Sequence, residues 1–85
     1  MKKIKTVAQL KKELKDGDYH EFFISLAGGI VRSSKEVAYC PENNTFQITN
    51  CIDDTEQEGI TIKELFDKRI TNIGEAMRKG AFFAY

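Results

Sequence analysis

The chain alternates between two hydrophobic periods, separated by polar or glycine breaks. Val7, Leu10 and Leu14 recur at helical spacing behind Thr6 and Gln9, which form a capping box. A short amphipathic helix is therefore expected over residues 7 to about 15, with Gly17 as its stop. Over residues 19–27 the period falls to two, with Phe22, Ile24 and Leu26 on one face and Phe23 and Ser25 on the other. Gly28 and Gly29 supply a tight reversal that pairs Ala27 with Ile30 and sets the register of a second strand ending at Cys40. After the turn Pro41, Glu42, Asn43, Asn44, a third strand over residues 45–52 brings Phe46, Ile48 and Ile52 to the face of Val31, Val37 and Tyr39. Both hairpin registers turn the same residues inward, and that agreement points to an antiparallel meander.

Residues 53–58 read as an acidic loop. Thr61 and Glu64 then form a second capping box, with Ile60 and Leu65 placed as a hydrophobic staple, so a helix is expected from Ile62 to about Lys68. A third helix starts at Thr71 or Asn72, carries Ile73, Ala76 and Met77, and stops at Gly80. Residues 81–85 are too aromatic for a solvated tail and read as a short strand or a docked segment. The order α-β-β-β-α-α-β predicts a single α+β domain over residues 1–85. Its expected architecture is a two-layer sandwich, an antiparallel meander of three to four strands packed with three short helices.

Composition narrows the functional classes. With 41% hydrophobic and 31% charged residues in 85, the chain resembles an ordinary globular domain, and no apolar run reaches the roughly 20 residues that cross a bilayer. The lysines after Met1 are not followed by an apolar signal region, so the expected location is cytoplasmic, without a membrane partner. Thirteen basic and thirteen acidic residues cancel, yet six lysines crowd the first 15 positions and Asp53, Asp54, Glu56 and Glu58 crowd six others. Neutrality weighs against nucleic-acid binding, leaving only a local basic patch to support it. Cys40 and Cys51 fall about six residues, roughly 20 Å, apart along the predicted hairpin, too far for a disulfide. One histidine and no paired CxxC give no zinc ligand set, and no cofactor motif is present, so neither metal nor cofactor is expected.

Arg32, Ser33, Ser34 and Lys35 are the one place where fold logic and chemistry conflict. The register sets Lys35 on the apolar face between Phe22 and Asn50, where a lysine is costly. The structural resolution is a bulge near Ser33 and Ser34 that turns Lys35 to solvent. The functional one is an anion or partner contact built from Gly28, Gly29, Arg32, Ser33, Ser34 and Lys35. Arg32 is also placed to pair with Asp53 across strands on the opposite face. His20 opens the first strand with no serine or cysteine near enough to be its nucleophile, so it reads as a packed or half-exposed histidine. Phe23, Phe82, Phe83 and Tyr85 form a candidate partner surface beside a sheet edge.

The chain resembles a family of small uncharacterised bacterial proteins carried on phages and other mobile elements. The resemblance rests on Gly28-Gly29 with Arg32 to Lys35, on Asn50 with Ile52 to Gln57, and on Thr71 to Ala76 leading to Lys79, Gly80 and Ala81. It implies a context, that of an accessory protein binding a host protein or nucleic acid, and no catalytic residues. No nucleophile, base and orienting group can be assembled, so the reading is a non-enzymatic protein, monomer or homodimer, that recognises a protein partner. The alternative is nucleic-acid or phosphate-ligand binding through residues 32–35.

Overall fold

The computed structural model describes residues 2–14, 19–25 and 33–85, and of Ser33 the backbone alone. The fold is α+β: a six-stranded antiparallel sheet in the order β1-β6-β2-β3-β4-β5, with three short helices. The strands are β1 (Lys2–Lys3), β2 (His20–Ile24), β3 (Ser33–Cys40), β4 (Thr45–Asn50), β5 (Thr55–Ile60) and β6 (Phe82–Ala84), and the helices α1 (Val7–Glu13), α2 (Ile62–Leu65) and α3 (Ile73–Arg78).

Both predicted capping boxes form. Thr6 Oγ1 accepts from the Gln9 amide at 3.2 Å while Gln9 Oε1 accepts from the Thr6 amide at 3.1 Å, and Thr61 and Glu64 repeat the exchange at the start of α2. Helix α2 is shorter than expected, ending at Leu65 rather than near Lys68. Asp67 is the reason: its carboxylate accepts from the Arg69 amide at 3.0 Å and its carbonyl from the amides of Ile70 and Thr71, a local turn that competes with another helical turn. Helix α3 begins after Asn72, whose side chain makes no cap bond, and ends as predicted at Gly80 with φ +68°. There Gly80 N donates to Met77 O and Ala81 N to Ala76 O, the two bonds of a Schellman stop. The Gly17 stop and the Gly28-Gly29 turn lie outside the described residues.

The meander register is the one the sequence predicts. Phe22 pairs with Lys35 and Lys35 with Asn50, while Cys40 lies opposite Thr45 across residues 41–44. Two four-residue loops, 41–44 and 51–54, each close on a residue in the left-handed region, Asn44 (φ 54°) and Asp54 (φ 60°). Asn and Asp tolerate that conformation better than other side-chain-bearing residues. Cys40 and Cys51 are free.

The sheet is larger than the three to four strands expected. Only Asp53 and Asp54 of the acidic segment lie in a loop: Thr55–Ile60 pairs along β4 as an edge strand, with an irregularity where Gln57 to Ile60 spans only Ile48 to Phe46. Gly59, at φ +67°, sits in that bulge. An edge strand with Thr55 and Gln57 on one face and Glu56 and Glu58 on the other carries no apolar alternation, and its charges discourage pairing with another chain. Nor does β4 continue to Ile52, which is 75% exposed in the turn. Residues 82–84 do join the sheet, inserted between β1 and β2.

One core lies between the helices and one face of the sheet. Phe22, Ile24, Val37, Phe46, Ile48, Ile60, Phe82 and Ala84 meet Ile4 and the helical Leu10, Leu65, Ile73, Ala76 and Met77, all buried. Phe22 and Phe82 stack at 4.9 Å between ring centroids, locking β2 to β6.

Candidate functional site

A polar row crosses the inner face at the level of Phe22. Along it Ala84, Phe22, Lys35, Asn50 and Thr55 are successive cross-strand neighbours. Lys35 Nζ donates to Asn50 Oδ1, Asn50 Nδ2 donates to Thr55 Oγ1 at 2.9 Å, and the Thr55 hydroxyl and amide both donate to Asp53 Oδ1, at 2.8 and 3.1 Å. The relay runs from a cation to a carboxylate through an amide and a hydroxyl, and it takes one of the three ammonium donors of Lys35. The expected bulge is absent. Ile24, Phe23 and Phe22 pair in unbroken order with Ser33, Ser34 and Lys35, and Lys35 is only 8% exposed. Hydrogen bonding along the row, not a shift of the strand, accommodates the charge.

Burial holds the Lys35 ammonium below the ordinary lysine value, with the Asp53 charge pulling the other way. Asp53 is held below the usual carboxylate range chiefly by the Thr55 hydroxyl and amide. Beside Lys35 the surface sinks into a cavity of about 490 Å³. Lys35, Asn50 and Thr55 form its sheet wall, and Lys68, Thr71 and Asn72, from the segment between α2 and α3, form the wall opposite. Gln57 Nε2 donates to Ile70 O at 2.6 Å and ties the two walls together.

Of the predicted tetrad, the side chains of Ser34 and Lys35 alone lie among the described residues. Ser34 points to the face opposite Lys35, since neighbours on a strand alternate, and its carbonyl accepts from the Cys51 amide at 3.0 Å. Gly28, Gly29, Arg32 and its proposed pairing with Asp53 lie outside the described residues. Among the described residues, Lys35 is accompanied by Asn50, Thr71 and Asn72, from other elements. Only the predicted pairing with Asn50 was open to sequence reasoning.

The outer face carries the aromatic group, with two corrections: Phe23, on that face, is itself only 8% exposed beside Phe83 and Tyr85, and Phe82 is not on it. Phe82 is fully buried in the core, one residue out of phase with Phe83. On the outer face Phe23 stacks on Phe83 at 5.2 Å and meets Tyr85 at 5.0 Å, with Tyr85 63% exposed and Lys3 Nζ 5.9 Å above the Phe83 ring. The next row on that face is acidic: Tyr85 N donates to Glu21 O, Glu21 lies opposite Glu36, and Thr49 links Glu36 to Glu56. Like charges directly opposite cost stability, so the row is a feature the fold tolerates rather than needs. Burial, followed by Glu36, Glu21 and Asp54, pushes the Cys51 thiol above its ordinary value. This row escaped sequence reasoning because Glu56 was placed in a loop.

At the other end of β2, His20 Nε2 is buried without a hydrogen bond, 3.9 Å from Glu13 Oε2, and its ring packs on Phe22 at 5.1 Å. Glu13 is taken by Lys2 at 2.6 Å, which holds its carboxyl below the usual range. His20 is thus packed on Phe22 and partly exposed, within the expectation of a packed or half-exposed histidine. No helix among the described residues is long and apolar enough to cross a membrane. Comparison with family models, curated proteins and solved structures finds no significant match to this chain.

Proposed function

We propose that this protein is a small, non-enzymatic binding protein that docks a protein partner on the outer face of its sheet. In this reading the helices and the sheet are two layers, and the second sheet face is left for recognition. The observation that carries it is the seating of Phe83 and Tyr85 on Phe23 beside Glu21, Glu36 and Glu56. Rigid aromatic side chains next to an acidic row fit the anchors and the electrostatic guide of an interface, and they select a partner with a basic surface. The same carboxylates repel phosphate backbones, which disfavours nucleic acid on this face. A cytosolic accessory role on a phage or mobile element belongs to the same proposal.

The test is affinity capture with the wild-type protein, Tyr85→Ala and Glu36→Lys, each checked for native melting. Loss of one basic protein from both variants, with its contacts mapping to β2 and β6, supports the reading. Capture undiminished in both, or contacts mapping to the helical side, rejects it.

A further inference from the structure

The cavity beside Lys35 lies on the opposite side of the sheet and serves no part of that docking surface. Its composition departs from that of the chain. Thirteen acidic residues balance thirteen basic ones overall, yet among the described residues lining this cavity there are two lysines and no carboxylate. The larger cavity near the end of α3, by contrast, mixes Asp67 and Glu75 with its cations, and Asp67 pairs with Arg69 at 2.9 Å. Lys35 and Thr71 are each 8% exposed, so two of the lining polar residues are more than nine-tenths buried.

The donors are only partly used. An ammonium has three N–H groups, and Asn50 Oδ1 takes one from Lys35. Among the described residues no carboxylate lies within ion-pair distance of Lys35. The Thr71 hydroxyl accepts a long bond of 3.4 Å from Ile73 N, which leaves its own proton to donate, and the Asn72 side chain does not cap α3. Lys68 stands at the rim, 74% exposed and 3.5 Å from Glu75. A buried cation with spare donors, flanked by a hydroxyl, an amide and a second cation, matches the demands of a compact multivalent oxyanion.

We propose that this cavity binds a phosphate group, free or as a monoester, with Lys35 as the buried cationic anchor and Lys68, Thr71 and Asn72 completing the site. Phosphate presents enough acceptor oxygens for all four groups at once. The Lys35–Asn50–Thr55–Asp53 relay fixes the ammonium before the ligand arrives, which lowers the ordering cost of binding.

Amide NMR titration in chloride buffer at constant ionic strength, with inorganic phosphate and separately with ribose 5-phosphate, tests the site. Saturable shifts at Asn50, Thr55, Thr71 and Asn72, with a Tm that rises as ligand is added, are expected from the wild type. Lys35→Met is expected to weaken binding by about tenfold or more, as loss of a charge-assisted contact does. If Lys35→Met does not fold, the double variant Lys68→Ala with Asn72→Ala carries the test, with a loss of similar size. Equal affinity for the two ligands identifies the free ion as sufficient, and tighter binding of the ester extends the site to its organic part. No saturable shift through about 10 mM of either ligand, ten times a millimolar Kd, overturns the proposal. Binding unchanged in the folded variant does so equally.

Discussion

Gly74 lies against the backbone of Phe66: a Cβ on Gly74 would stand 2.5 Å from the Phe66 Cα and 2.6 Å from the Leu65 carbonyl oxygen. The start of α3 thus meets the end of α2 closer than any side chain allows. Glycine inside a helix otherwise costs about 1 kcal/mol relative to alanine, so propensity alone favours Gly74→Ala. Contact with backbone that cannot swing aside reverses the sign. Gly74→Ala is expected to destabilise by about 1–3 kcal/mol in urea unfolding. A gain in stability would show that α2 and α3 separate at little cost.

The Lys35 ammonium imprints itself on alkaline stability. Its folded pKa is lowered by burial, so between that value and the ordinary lysine value the unfolded chain binds more protons. The destabilising contribution of the buried charge is full below the folded pKa and disappears as pH rises through that window. Wild-type stability measured against Lys35→Met in chloride buffer should therefore improve toward pH 10. A flat difference across the alkaline range would mean that the ammonium is as well solvated folded as unfolded.

Asp67 should titrate far below its neighbours. The Arg69 guanidinium, then the Arg69 amide, holds its carboxyl down at about 2. Its contribution to stability is present above the ordinary carboxylate range and is lost as pH falls toward that value. Carboxyl NMR should find the midpoint there, and Arg69→Ala should raise it only in part, because the backbone amide at 3.0 Å remains. An Asp67 midpoint in the ordinary range would refute the pairing.

Adjacent aromatics in β6 and beyond should separate cleanly by alanine substitution. Phe82, buried and stacked on Phe22, is expected to cost about 3–5 kcal/mol when truncated. Tyr85, 63% exposed, should cost about 1 kcal/mol or less. Similar losses by chemical denaturation would place Tyr85 in the stability of the fold rather than on a recognition surface.

Much of this architecture is legible in the residues, because it depends on local chemistry. Thr6 with Gln9, Thr61 with Glu64 and Gly80 bring their own hydrogen-bond solutions, and a four-residue loop between Cys40 and Thr45 fixes a whole register. Elements stabilised by neighbours rather than by their own pattern are not legible. Thr55–Ile60 has no apolar alternation and is a strand only because β4 offers an unpaired edge. Lys35 showed that its position was costly but not how the cost is met, since Asn50, Thr55 and Asp53 act on it from two other segments. Phe82 and Phe83 are adjacent in sequence, and only the pairing with β2 decides which faces the core.

The place of β6 has a consequence for how the protein is made. Strands β2 to β5 follow one another along the chain and can pair as they emerge from synthesis, whereas β2 finds its second neighbour only in residues 82–84. Until those residues appear, Phe22 lacks its stacking partner, Phe23 lacks Phe83, and Lys2–Lys3, made earlier, has no strand to join. From the emergence of β2 to that of β6 the nascent chain therefore carries an open edge lined by aromatic residues, where a foreign strand could add. Protection waits for a three-residue strand, which closes the gap between β1 and the rest of the sheet.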